Sequence, residues 1–86
     1  MTNYKQAEQL IILMEECAEV TQSASKILRF GAQPDAVEAL TMELGDLLGI
    51  IDWVVKEFDM NPDDLIKYAE LKQQKMLRWT SYQKDK

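Results

Sequence analysis

This chain has two places to break and reads as helix nearly everywhere else. Gly31-Ala32-Gln33-Pro34-Asp35 is the first break, and Asp59-Met60-Asn61-Pro62-Asp63-Asp64 is the second. Glycine tolerates the left-handed backbone that ends a helix, and proline fits a helix's first turn, so each run closes one helix and opens the next. With only three glycines and two prolines in 86 residues, and 47% of residues apolar, the chain is globular and helical, not disordered. The pattern predicts a single domain over residues 1–86. Its expected fold is all-α, an antiparallel helical bundle of three main helices with a core completed by oligomerisation.

The first helix should run to about Phe30. Thr2 and Asn3 are N-cap candidates, and Gln6 stands three after Asn3 as in a capping box. On a helical wheel Leu10, Leu13, Cys17, Val20, Ala24, Ile27 and Leu28 form the expected core stripe. Glu16, Glu19, Ser23 and Lys26 occupy its flank, with Glu15 and Gln22 just beyond.

The second helix starts at Pro34 or Ala36, with Asp35 and Glu38 as a second capping-box candidate, and reaches about Phe58. Its stripe holds Val37, Leu40, Leu44, Leu47, Ile51, Val54, Val55 and Phe58. Glu43 and Asp46 lie on the flank, with Ile50 and Trp53 further along it. Two helices of like design joined by a short loop should pack antiparallel. Gly45 and Gly49 fall inside this helix at about 1 kcal/mol each relative to alanine. Four apart, they serve either tight helix packing or a groove for a ligand. In the third helix Asn61 caps and Pro62 takes the first position, with the end near Tyr82.

Charge and missing residue types exclude much. A net charge of −5 argues against coating nucleic acid by phosphate neutralisation. The last stretch is locally basic: Lys67, Lys72, Lys75, Arg78, Lys84 and Lys86 stand against Glu70 and Asp85. That suits an anionic substrate or a plain solvated face. There is no histidine, which removes the common zinc sites, a Ser-His-Asp triad and a carboxylate-histidine di-iron bundle. The lone Cys17 makes no intrachain disulfide, and the sequence has neither a signal-peptide pattern nor an apolar run of membrane length. A cytoplasmic protein without membrane partners is expected. Long amphipathic helices in so short a chain leave apolar surface for a homodimer or homotetramer to cover.

Chemistry is suggested by two acidic pairs. Side chains three apart on a helix share a face, so Glu16 points with Glu19 and Glu43 with Asp46. Such a pair is ordinarily a solvated face. Two pairs on the core-flanking strips of consecutive helices can instead converge, and four carboxylates that close repel unless a cation sits among them. Mg²⁺ takes oxygen ligands of this kind.

Glu-Glu-Cys-Ala-Glu at 15–19, then 23 residues, then Glu-Leu-Gly-Asp at 43–46 resembles the EExxE…ExxD signature of the MazG-like all-α nucleoside triphosphate pyrophosphatases. The resemblance covers about residues 8–58 and includes the Lys-x-x-Arg-Phe-Gly run from Lys26 to Gly31. Met76-Leu77-Arg78-Trp79 also looks like the tail of short family members. The resemblance implies Mg²⁺-assisted hydrolysis of a (d)NTP to the monophosphate and pyrophosphate, acting on deoxynucleotide pools, with Mn²⁺ as a substitute ion. It makes Glu16, Glu19, Glu43 and Asp46 the metal ligands and gives Glu15 the role of orienting a water or of supporting the ligands from behind. Lys26, Lys72 and Lys75 are candidates for phosphate contacts, or else surface lysines. Trp53 could stack on a base or fill an interface, and Phe30 is an alternative wall for the base. The competing reading is a catalytically silent helical interaction or nucleotide-sensing module.

Overall fold

A computed structural model describes residues 3–79 as three helices, α1 (Tyr4–Phe30), α2 (Pro34–Glu57) and α3 (Pro62–Trp79). Each boundary has a local cause. Asn3 Oδ1 accepts from the Gln6 amide at 2.7 Å, and Gln6 Oε1 accepts from the Asn3 amide at 3.2 Å, which completes the expected capping box. Thr2, the other cap candidate, lies outside the described residues, as do Tyr82, Lys84, Asp85 and Lys86. Gly31 ends α1 at φ 93°, where a side chain would be strained.

Helix α2 begins at Pro34, capped by Gln33 without a side-chain bond. Asp35, expected as the cap, instead sits in the first turn, its Oδ1 accepting from the Ala36 amide at 2.9 Å. The far end of α2 closes on Asp59 at φ 55°, a left-handed position usually given to glycine. There the Met60 amide donates to the Val55 carbonyl at 2.9 Å and the Asp59 amide to Lys56 at 3.3 Å. Asn61 then opens α3, its Oδ1 accepting from the Asp63 amide at 2.9 Å.

Helices α1 and α2 pair along their lengths as an antiparallel hairpin. Their seam takes most of the expected stripes and adds residues from beside them. On α1 Leu10, Leu13, Val20 and Ile27 of the expected stripe are covered, joined by Gln9, Glu16 and Ser23, whereas Cys17 and Ala24 are exposed and Leu28 is 88% exposed. On α2 Leu40, Leu47, Ile51, Val54, Val55 and Phe58 of the expected stripe are covered, joined by Ala36, Glu43 and Ile50, while Val37 and Leu44 are exposed. Helix α3 packs along neither partner and has no buried residue. The expected three-helix bundle is thus, within one chain, a two-helix hairpin with α3 standing off it. The radius of gyration, 15.7 Å, exceeds the roughly 12 Å of a compact chain of this length. Among the described residues, no helix is long and apolar enough to cross a membrane.

The buried apolar core is confined to one end, where Ile50, Val54 and Val55 pack near the start of α1. Gln9 is buried beside them at 8% exposure, and its Oε1 has no hydrogen-bond partner. An unpaired buried amide oxygen costs about 1–3 kcal/mol. Gln9→Met keeps the length of the side chain and removes the polar atom, so it should raise unfolding stability by about 1 kcal/mol. Equilibrium denaturation in urea measures this, and a lower midpoint for the variant would show that Gln9 has a partner in solution.

Candidate metal centre

Halfway along the hairpin the seam turns acidic. Glu16 comes from α1, seven residues after Gln9 at the same helical register, and Glu43 and Asp46 come from α2. One carboxylate oxygen from each lies within 4.8 Å of the others. The antiparallel pairing makes this meeting, since residues on opposite strands of the hairpin whose numbers add to about 60 are neighbours. The same pairing sets Lys5 against Glu57 at 3.5 Å.

Glu19, the fourth expected ligand, stands outside the cluster of three, yet its carboxyl group contacts that of Glu43. Glu15 points away to a groove shared with Ala18, Glu19 and Gln22, and reaches the cluster only through its charge.

Electrostatics at this point are unfavourable to the anions. Burial pushes the Glu16 carboxyl above its ordinary range, and the charges of Asp46, Glu19 and Glu15 push it further. Glu43 is raised first by burial, then by Glu19, both through charge and through a shared hydrogen bond, and then by Glu16 and Asp46. Glu16 Oε2 is sealed from solvent without a hydrogen-bond partner. Among the described residues no lysine or arginine forms an ion pair with any of these acids; the ion pairs are Lys5–Glu57 and, at 3.0 Å, Lys56–Asp52. Oxygen donors from two helices, one of them orphaned, with no cation of their own, fit a hard divalent ion.

A groove of ≈ 410 Å³ opens beside the cluster, lined by Ile12, Glu16, Gly45, Asp46, Gly49, Ile50 and Trp53. A Cβ added at Gly45 or Gly49 would meet nothing within 4 Å, so packing inside the chain does not require glycine at either position. Trp53 stands at the groove's end, 60% exposed, and also lines a ≈ 350 Å³ pocket with Lys5, Gln9, Lys56 and Glu57.

The remaining candidates are dispersed. Lys26 is exposed seven residues beyond Glu19, about 10 Å along the helix. Phe30 is 69% exposed with the Arg29 guanidinium 5.1 Å from its ring centre, and lies about 21 Å along α1 from Glu16, too far to wall a base held there. Lys72 and Lys75 line a separate groove on α3 with Met76 and Trp79. Gln9, Lys5 and Lys56 were missed by sequence reasoning. The seven-residue spacing from Gln9 to Glu16 was the available signal, but a glutamine on an apolar register carries no chemical motif. The chain matches no protein-family model, no curated protein and no solved structure.

Proposed function

We propose that the protein is a Mg²⁺-dependent nucleoside triphosphate pyrophosphohydrolase. The observation that carries this reading is the convergence of Glu16, Glu43 and Asp46 oxygens from two helices within 4.8 Å. The EExxE…ExxD resemblance supplies the reaction class. Bound Mg²⁺ would neutralise these acids, polarise phosphate oxygens and acidify a coordinated water.

The chain's own residues do the rest. Glu16, Glu43 and Asp46 would hold the ion, and Glu19, against Glu43, would orient that carboxylate. Gly45 and Gly49 leave a bare helix surface on which a triphosphate can lie close to the acids. Trp53 offers an aromatic face at the groove's end for a base. Water activated in this way needs no side-chain nucleophile, which fits a chain with no histidine and with its one cysteine exposed outside the cluster.

The direct test is incubation with a panel of canonical and modified (d)NTPs and Mg²⁺ or Mn²⁺, with product identification. A nucleoside monophosphate and pyrophosphate are expected, and orthophosphate as the first product would refute the assignment. The glycines give an independent check. Gly49→Ala should stabilise α2 by up to about 1 kcal/mol, because the added methyl meets open space and glycine is a poor helix former. It should nevertheless raise KM, because that methyl occupies the groove. A stabilised variant with unchanged KM would remove the groove from the substrate path.

The silent interaction module remains the second reading, favoured by the wide exposed apolar surface of the hairpin. Absence of turnover with every nucleotide and either metal would select it.

A further inference from the structure

The burial of Gln9 has no explanation in the metal centre. Gln9 is 8% exposed, and among the described residues its Oε1 has no hydrogen-bond partner. A buried amide oxygen left this way destabilises the fold, and a ligand N–H would satisfy it.

Gln9 also lines the ≈ 350 Å³ pocket of Lys5, Trp53, Lys56 and Glu57. Trp53 belongs both to this pocket and to the acidic groove, so the two are continuous. Gln9 precedes Glu16 by seven residues, and Trp53 follows Asp46 by seven. On antiparallel helices both therefore lie about 10 Å from the acids, toward the same end of the hairpin. With phosphates held at the acids, a nucleoside extended in this direction brings its base to the pocket.

The pocket's polar groups are unevenly divided. Lys5 is paired with Glu57 at 3.5 Å and Lys56 with Asp52 at 3.0 Å, so neither is a bare charge awaiting a phosphate. An ammonium has three N–H groups, however, and each lysine keeps donors to spare. Acceptors are scarcer. Glu57 is engaged by Lys5, which leaves the Gln9 oxygen. Rotation of the Gln9 terminal amide, a soft torsion, can turn that oxygen to a ligand.

We infer that this pocket selects substrates by their base, favouring a lactam edge, a ring N–H beside a carbonyl, over an amidine edge. The inference rests on the pyrophosphohydrolase reading. Uracil, thymine and hypoxanthine carry the lactam; cytosine and adenine carry a bare ring nitrogen beside an amino group. The ring N–H donates to Gln9 Oε1, the carbonyl accepts from Lys56 or Lys5, and the ring stacks on Trp53. An amino group in the carbonyl's place sets donor against ammonium. Gln9 is thus a specificity-determining residue.

Two matched pairs isolate the edge. kcat/KM should be at least tenfold higher for dUTP than for dCTP, and for dITP than for dATP. Gln9→Met should narrow both ratios to below threefold, and Lys56→Met, which leaves the core untouched, should narrow them as well. Binding gives a readout without catalysis. In the absence of metal, dUMP should quench tryptophan fluorescence at a tenfold lower concentration than dCMP. Trp53→Phe, which retains Trp79, should abolish that quenching. Failure to release pyrophosphate from any nucleotide would refute the hydrolase reading, whereas a dUMP preference lost in Gln9→Met would still uphold the pocket. Equal kcat/KM within both pairs, a preference for dCTP and dATP, quenching that does not distinguish dUMP from dCMP, or a preference untouched by both variants would each overturn the inference.

Discussion

Asp46→Asn should lower pyrophosphate release by about a thousandfold while the protein stays folded. The substitution keeps the shape of the side chain and removes one of three converging anions. An amide oxygen is a weaker ligand for a hard cation than a carboxylate, and charge stabilisation by a catalytic metal is worth several kcal/mol in the transition state. The loss should appear mainly in kcat, with partial recovery at high Mg²⁺ where weakened ion binding is the cause. Glu43→Gln should behave alike. Glu15→Gln should cost far less, because Glu15 reaches the cluster only through its charge. The measurement is initial-rate pyrophosphate release alongside circular dichroism. Folded variants with wild-type rates would leave the acidic seam without a catalytic role.

Magnesium at about a hundred times its Kd should raise the unfolding midpoint by about 10–20 °C. Binding to the folded state alone at that excess contributes roughly 2.7 kcal/mol, and each kcal/mol moves the midpoint of a domain this small by about 4–8 °C. The metal-free protein should show an unusual pH response. Folding raises the Glu16 and Glu43 carboxyls above their ordinary 4.5, so the folded state binds protons that the unfolded chain releases. Their stabilising contribution is fully present below pH 4.5 and is lost as pH rises through the raised values. Without metal the midpoint should therefore climb on mild acidification from neutrality. With Mg²⁺ the trend should invert, since protons and the ion compete for the same oxygens. A midpoint indifferent to Mg²⁺ against a potassium chloride control of equal ionic strength would count against a converged site.

The helix boundaries were legible because they rest on local chemistry. Asn3 with Gln6, Gly31, and Asn61 with Pro62 each act within a few residues of themselves. Asp59 escaped notice because aspartate is a minority choice for a left-handed helix end. Convergence of Glu16, Glu43 and Asp46 was also readable, as spacing on two helices and a short loop nearly determine it. The line of the seam was readable only in part. The apolar stripe of α1 is wide because it merges two registers. Leu13, Val20 and Ile27 meet α2, whereas Leu10, Cys17 and Ala24 each stand one residue past Gln9, Glu16 and Ser23, toward one side of the hairpin. A wheel counts apolar residues without saying which contact each one serves. The same ambiguity hid Gln9 in the seam and let α3 look like a bundle member.

The placement of the core at one end has a further result for the hairpin. The Gly31 loop tethers one end of the two helices by covalent bonds, and Ile50, Val54 and Val55 clamp the other. The mutually repelling acids lie between these anchors. The acids therefore sit between a covalent tether and an apolar clamp, where their mutual repulsion loads the waist of the hairpin while both ends keep the helices together.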